Sequence, residues 1–153
     1  MTVDRTALIG RPLRAANYTV SEVDVNDFLC VVAEPNCAPT DGPGGSAEEA
    51  KGRLVPPSFA PFVAVLGLLK TFDWQEDFLF DYRTGTAMFG EQSIAFHRPL
   101  SVGQSVAISA VISDVYEKQG KQTFDVVEVT FDIKRREEGD LLMSGQQSYI
   151  LFK

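Results

Sequence analysis

Histidine, cysteine and basic charge are all scarce in this sequence of 153 residues. It has one histidine, His97, two cysteines, Cys30 and Cys37, and 14 Lys and Arg against 21 Asp and Glu. Two thiols with no flanking His and no second Cys pair do not complete a tetrahedral ligand set, so the sequence offers no metal site. They also supply no disulfide framework and read as reduced thiols of a cytoplasmic protein. The net charge of -7 repels phosphate backbones and argues against nucleic acid as a partner. A small anionic ligand is still compatible, because it needs only a local basic patch. Long hydrophobic runs are missing too. The longest, Phe59 to Leu69, is interrupted by Pro61 and Gly67 and is too short to cross a bilayer, so no membrane association is expected. Residues 1–11 lack the apolar stretch of a secretory signal.

What is present is an ordinary globular composition, 44% hydrophobic and 23% charged, with an unusual supply of phenylalanine, 11 residues. The length suits one domain, residues 1–153. The first half has helical signals. After a short extended lead-in at Asn17–Val20, Ser21 with Asp24 three residues on has the form of a capping box. A helix is predicted from about Glu22 to Ala33, ended by Pro35. Pro39 to Gly45 is a loop by composition. Leu54-Val55-Pro56-Pro57 is extended, because a residue before proline is pushed out of the α region. Ser58 then reads as the cap of a second helix, Phe59 to about Thr71, with Pro61 in its first turn. That helix is apolar on nearly every side, so the rest of the protein is expected to bury it. Asp73 to Asp77 reads as a polar break.

From Phe78 onward the period changes to that of strands. Two are predicted at Phe78–Tyr82 and Thr86–Phe96, then three long ones at about Gln104–Glu117, Gln122–Arg135 and Leu141–Phe152. In the long strands Val106, Ile108, Ala110 and Ile112 alternate with smaller or polar residues, as do Val127, Val129, Phe131 and Ile133. Gly-containing turns at Lys118–Lys121 and Glu137–Asp140 make them consecutive hairpins. Helices early and long antiparallel strands late are an α+β signature. One helix laid on one sheet leaves a sheet edge uncovered, so pairing with a second subunit is the physical expectation.

The stretch Gly90-Glu91-Gln92 followed by Phe96-His97-Arg98-Pro99-Leu100 and Val102-Gly103 is a strand, a sharp proline corner and a glycine turn. Pro99 cannot donate to a ladder, so the corner lies at a strand end or edge. With Ile9-Gly10-Arg11-Pro12-Leu13, Tyr18-Thr19-Val20, Val55-Pro56-Pro57-Ser58-Phe59 and Asp114–Gly120, this order of pieces resembles the hot-dog domains of MaoC-like dehydratases and hydratases. The likeness is to their N-terminal, non-catalytic-type domain. It implies a long apolar helix wrapped by a curved antiparallel sheet and an acyl-thioester ligand on CoA or a carrier protein. It implies no cofactor, and a homodimer or a heterodimer with a catalytic hot-dog subunit.

Catalytic members of that family carry Asp-x-Asn-Pro-x-His, in which Asp and His activate water and move a proton at the α-carbon. The best match here is Glu34-Pro35-Asn36-Cys37-Ala38-Pro39, where Glu34 replaces the Asp, Asn36 is kept and Pro39 stands where the His belongs. Proline has no titratable group to serve near neutral pH. The catalytic candidates are therefore Glu34, Asn36 and the lone His97, which alternation places on the strand face opposite Phe96. The binding candidates are the backbone N–H groups of Ser58, Phe59 and Ala60 at the helix start, and Arg98, positioned either for a CoA phosphate or for an acid such as Asp114. The reading is a substrate-binding subunit of a (3R)-hydroxyacyl-thioester dehydratase or enoyl-CoA hydratase. The alternatives are a homodimeric thioesterase or hydratase with an atypical site, and an acyl-CoA-binding module without turnover.

Overall fold

The computed structural model describes residues 3–32, 52–81 and 83–152. Five strands, β1 (Ala16–Thr19), β2 (Thr86–Phe96), β3 (Ser105–Gln119), β4 (Thr123–Arg135) and β5 (Leu141–Phe152), form one antiparallel sheet in the order β1-β3-β4-β5-β2. Among the described residues three α-helices accompany it: α1 (Glu22–Val32), α2 (Ala60–Leu69) and α3 (Trp74–Phe78). The expected hairpins are the centre of the sheet, with Ile108 against Ile133 in β3–β4 and Phe131 against Gly145 in β4–β5. Alternation sends Val127, Val129, Phe131 and Ile133 of β4 to the same face as Met143, Tyr149 and Leu151 of β5. All seven are buried, and this is the face that α2 covers.

Gly67 sets how closely α2 lies on the sheet, since a Cβ at that position would overlap the Ile108 side chain of β3. The helix buries Val63, Ala64 and Leu68 but leaves Phe62 37% and Leu69 46% exposed. The all-round burial expected from its composition is therefore not met: one face meets the sheet, and among the described residues no sheet lies over the other. Phe59 is fully buried and meets Phe28 of α1 edge to face, ring centroids 5.3 Å apart. This ties α1 to the start of α2.

At the start of α1, Ser21 Oγ accepts from Asp24 N–H at 3.0 Å, as the capping signal predicts. The Asp24 carboxylate does not reach back, however; it accepts from the Tyr18 hydroxyl at 2.7 Å. Other expectations are corrected. Ser58 makes no side-chain cap; Pro57–Phe59 is instead a 3-10 turn leading into α2, which ends at Leu69. The polar break at Asp73 is the cap of α3, with Asp73 accepting from the N–H groups of Gln75 and Glu76. Acidic side chains at an N-terminus favour a helix, which outweighs their weak propensity. The strand predicted at Phe78 is absent. Leu79 takes a left-handed conformation, φ 51°, that closes α3, and Phe80 is buried beside Trp74. Tyr82 lies outside the described residues.

Arg5 holds this turn to the sheet. It is 7% exposed, donates to the carbonyls of Phe78 (2.7 Å) and Leu79 (2.9 Å), and pairs with Asp125 of β4, itself 4% exposed. The planar fork of arginine suits three acceptors in one place. Arg5→Ala is expected to cost about 3–5 kcal/mol, the range for removing one partner of a buried ion pair, and Arg5→Lys to restore only part of it; urea unfolding reads both. A second expectation concerns alkali. Burial, then the Asp24 acceptor, pushes the Tyr18 hydroxyl well above its usual range, and burial does the same for Tyr149. Folded-state values above the unfolded value of about 10 mean stabilisation that is whole below pH ~10 and is lost as pH rises past it. The urea midpoint should fall above that pH, and Tyr18→Phe should shrink the fall.

Candidate functional site

Two chain segments meet at the start of α2. The first is the extended run before it: Val55 N–H donates to Leu100 O at 2.8 Å, Val102 N–H to Arg53 O at 2.9 Å, and Leu54 bridges Ser101. Proline fixes the backbone from there to the helix, with Pro56 extended at φ -61°, ψ 140° before the 3-10 turn. The second segment is the corner after β2. His97 and Arg98 both donate their N–H to Leu142 O, at 2.9 and 3.1 Å, and Pro99 then ends the ladder as its missing donor requires.

Between these segments lies a cavity of about 410 Å³, within the usual size range of small-ligand sites. Val55, Pro56, Pro57 and Ala60 form one wall, and Phe96 with Met143 the other. Phe96 and Met143 are cross-strand partners in the β2–β5 register. His97 and Arg98, both exposed, stand at its rim and are the described lining residues that carry titratable side chains. The surface suits an apolar chain entering beside one cation.

The structure thus brings together Ala60, His97 and Arg98 of the residues singled out from sequence. Ser58 is exposed and does not line the cavity, and the Phe59 ring points into the core. The backbone donors at the helix start are largely used. Phe59 N–H donates to Pro56 O at 2.9 Å and Ala60 N–H to Pro57 O, so the 3-10 turn takes up two of the three. Glu34, Asn36 and Pro39 lie outside the described residues. His97 is exposed, on the face opposite Phe96 as alternation requires, and its Nε2 is 2.8 Å from Ser144 Oγ on β5. Arg98 pairs with Asp140, 3.2 Å from its Nε, and not with Asp114, whose carboxylate caps Val115 N–H. Its side chain is 61% exposed, leaving most of the guanidinium in solvent. Phe96 and Met143 were not singled out beforehand. Their pairing depends on the β2–β5 register, which no local signal encodes.

The family described as "FAS1-like, dehydratase domain region" matches residues 7–141. No curated protein matches the chain. Among solved structures, the chain is similar to the C-terminally truncated HadBC (3R-hydroxyacyl-ACP dehydratase) complex of Mycobacterium tuberculosis. There the TM-score is 0.65 at 19% identity, over 96% of this chain and 99% of that one. It is similar to the ChsH1-ChsH2 complex of the same organism, TM-score 0.63 at 19% identity over 97% and 91%. It is also similar to a hot-dog-like protein from Thermanaerovibrio acidaminovorans, TM-score 0.59 at 10% identity over 97% and 87%. The α+β fold described above is the hot-dog fold.

The contacts of the two rim residues are those of surface side chains. His97→Ala and Arg98→Ala are each expected to change unfolding free energy by less than about 1 kcal/mol, measured by urea titration. A larger loss would mean that they hold the corner together.

Proposed function

This chain belongs to the family of FAS1-like dehydratase domain regions, and from that membership we propose that it is the substrate-binding, non-catalytic subunit of a (3R)-hydroxyacyl-thioester dehydratase or enoyl-CoA hydratase. The observation that carries this reading is the cavity beside Ala60. It has the size and apolar walls to hold an acyl chain or pantetheine arm, and Arg98 at its rim to meet a phosphate. A dehydratase must remove a proton from carbon and protonate a leaving hydroxyl, which takes two groups of matched pKa facing one substrate. Among the described residues of this cavity His97 carries the one imidazole, and it turns toward Ser144. Pro39, in the position of the family's histidine, supports the same reading. So do the two similar structures that are named complexes.

In this proposal a hot-dog partner supplies the acid–base pair and this chain shapes the acyl site. Hydration of crotonyl-CoA and longer enoyl-CoA esters, followed by loss of enoyl absorbance, tests it with the chain alone and mixed with a hot-dog partner encoded nearby. The chain alone is expected to be slower than the mixture by about 10²–10⁴, the range a positioned acid–base pair is worth. Equal rates with and without the partner would identify the chain as an enzyme in its own right.

A further inference from the structure

Among the described residues strand β2 ends the sheet, with β5 on one side and no strand on the other. It carries exposed apolar side chains, Met88 at 52%, Phe89 at 48% and Phe96 at 53%, which is ground that a second strand would cover. Its centre is different. The register passes from Phe89 against Tyr149 to Gln92 against Gln147, so Gly90 and Glu91 together oppose Ser148. The bulge is tight: a Cβ on Gly90 would stand 2.5 Å from Ser148 Oγ, and that hydroxyl accepts from Glu91 N–H at 2.8 Å. A bulge re-aims the side chains it contains. Here it puts Glu91 on the sheet face away from α2, at the margin of a cavity of about 310 Å³ that also meets Tyr116, Lys118, Glu128 and Gln146.

The patch is acidic. The Glu128 carboxylate accepts from the Tyr116 hydroxyl at 3.0 Å and from the Gln146 amide. After burial, the charges of Glu128, Asp114 and Glu91 each help to raise the Tyr116 pKa. The cation on this patch is Lys118, whose ammonium lies 5.3 Å from the Tyr116 ring centroid. Glu91 is the midpoint of β2, since 86 and 96 average to 91. Two copies of this strand paired antiparallel along their length would set Glu91 against Glu91. Like charges directly opposite on neighbouring strands, with Cβ atoms about 5 Å apart, oppose pairing. The remaining carboxylates of both copies would add to the repulsion, and the bulge would interrupt both ladders at the same level.

We propose that β2 is an interface for a different chain, an edge strand that presents a lysine or arginine opposite Glu91. The apolar positions supply adhesion to any strand, and Glu91 selects against a second copy. The inference rests on the subunit reading above and specifies the partner's chemistry. Its test uses this chain alone, so it can fail while enoyl-CoA hydration by a mixture succeeds, and the reverse.

Sedimentation velocity of the wild type, Glu91→Gln, Glu91→Lys and an equimolar mixture of wild type with Glu91→Lys, at about 0.05 M and 0.5 M salt, decides it. Circular dichroism checks that each variant folds. Glu91→Gln is expected to self-associate at least about tenfold more tightly than the wild type at low salt, with the difference closing at high salt. The mixture is expected to associate more tightly than either component. A wild-type homodimer as tight as that of Glu91→Gln and indifferent to salt would overturn the proposal, as would monomers throughout, the mixture included. If Glu91→Lys does not fold, the Glu91→Gln and salt comparisons decide the question.

Discussion

The close seating of α2 on β3 at Gly67 is the constraint on which the rest of the molecule depends. Without a Cβ there, the helix lies low enough for Val63, Ala64 and Leu68 to reach the sheet. Its apolar composition then becomes core on one face. A helix so placed has its start fixed by the Pro56-Pro57 run, which Val55 and Arg53 tie to residues 100–102. The cavity is a consequence: it is the space between a helix start held by proline and a strand end turned by proline. Dispersion and desolvation pack both walls, and the hydrogen bond from Val55 N–H to Leu100 O joins the two segments that carry them.

The polar groups near this space mostly have structural uses. The helix-start N–H groups close a 3-10 turn, Arg98 leans on Asp140, and His97 meets Ser144 across the strands. What remains is a shaped apolar surface with one solvated cation, suited by its chemistry to binding and orientation more than to bond making. The division of labour proposed for two hot-dog chains rests on this inventory. In that proposal the sheet edge matters to function, since a binding subunit acts only when it is joined to its partner.

Much of the fold was legible in the sequence. The strands at Thr86–Phe96 and Leu141–Phe152 were placed to the residue, because Gly85, Pro99 and Gly139 punctuate the chain beside them. The α1 helix was legible from its cap and from Pro35. The region from Asp73 to Tyr82 misled because it is short. Five residues of α3 show too little of a 3.6-residue period to outweigh the aromatic spacing of Phe78, Phe80 and Tyr82, which looks like a strand. The left-handed Leu79 that separates helix from turn has no sequence signal, since leucine seldom adopts that conformation. The buried pair of Arg5 and Asp125, 120 positions apart, is set by tertiary packing and has no local trace.

The cavity was half legible. The corner at Pro99 and the run at Pro56-Pro57 both stood out, but that they face one another depends on the isolated bridge between Leu54 and Ser101. The central claim, that this space takes an acyl thioester, is tested most directly by calorimetric titration of the isolated chain with a long-chain acyl-CoA. The comparison is between the wild type and Ala60→Phe, whose ring would occupy the cavity. The expected result is saturable binding by the wild type, weakened at least about tenfold in the variant while the variant keeps a cooperative urea transition. Equal binding by both proteins would contradict the claim and place the ligand elsewhere.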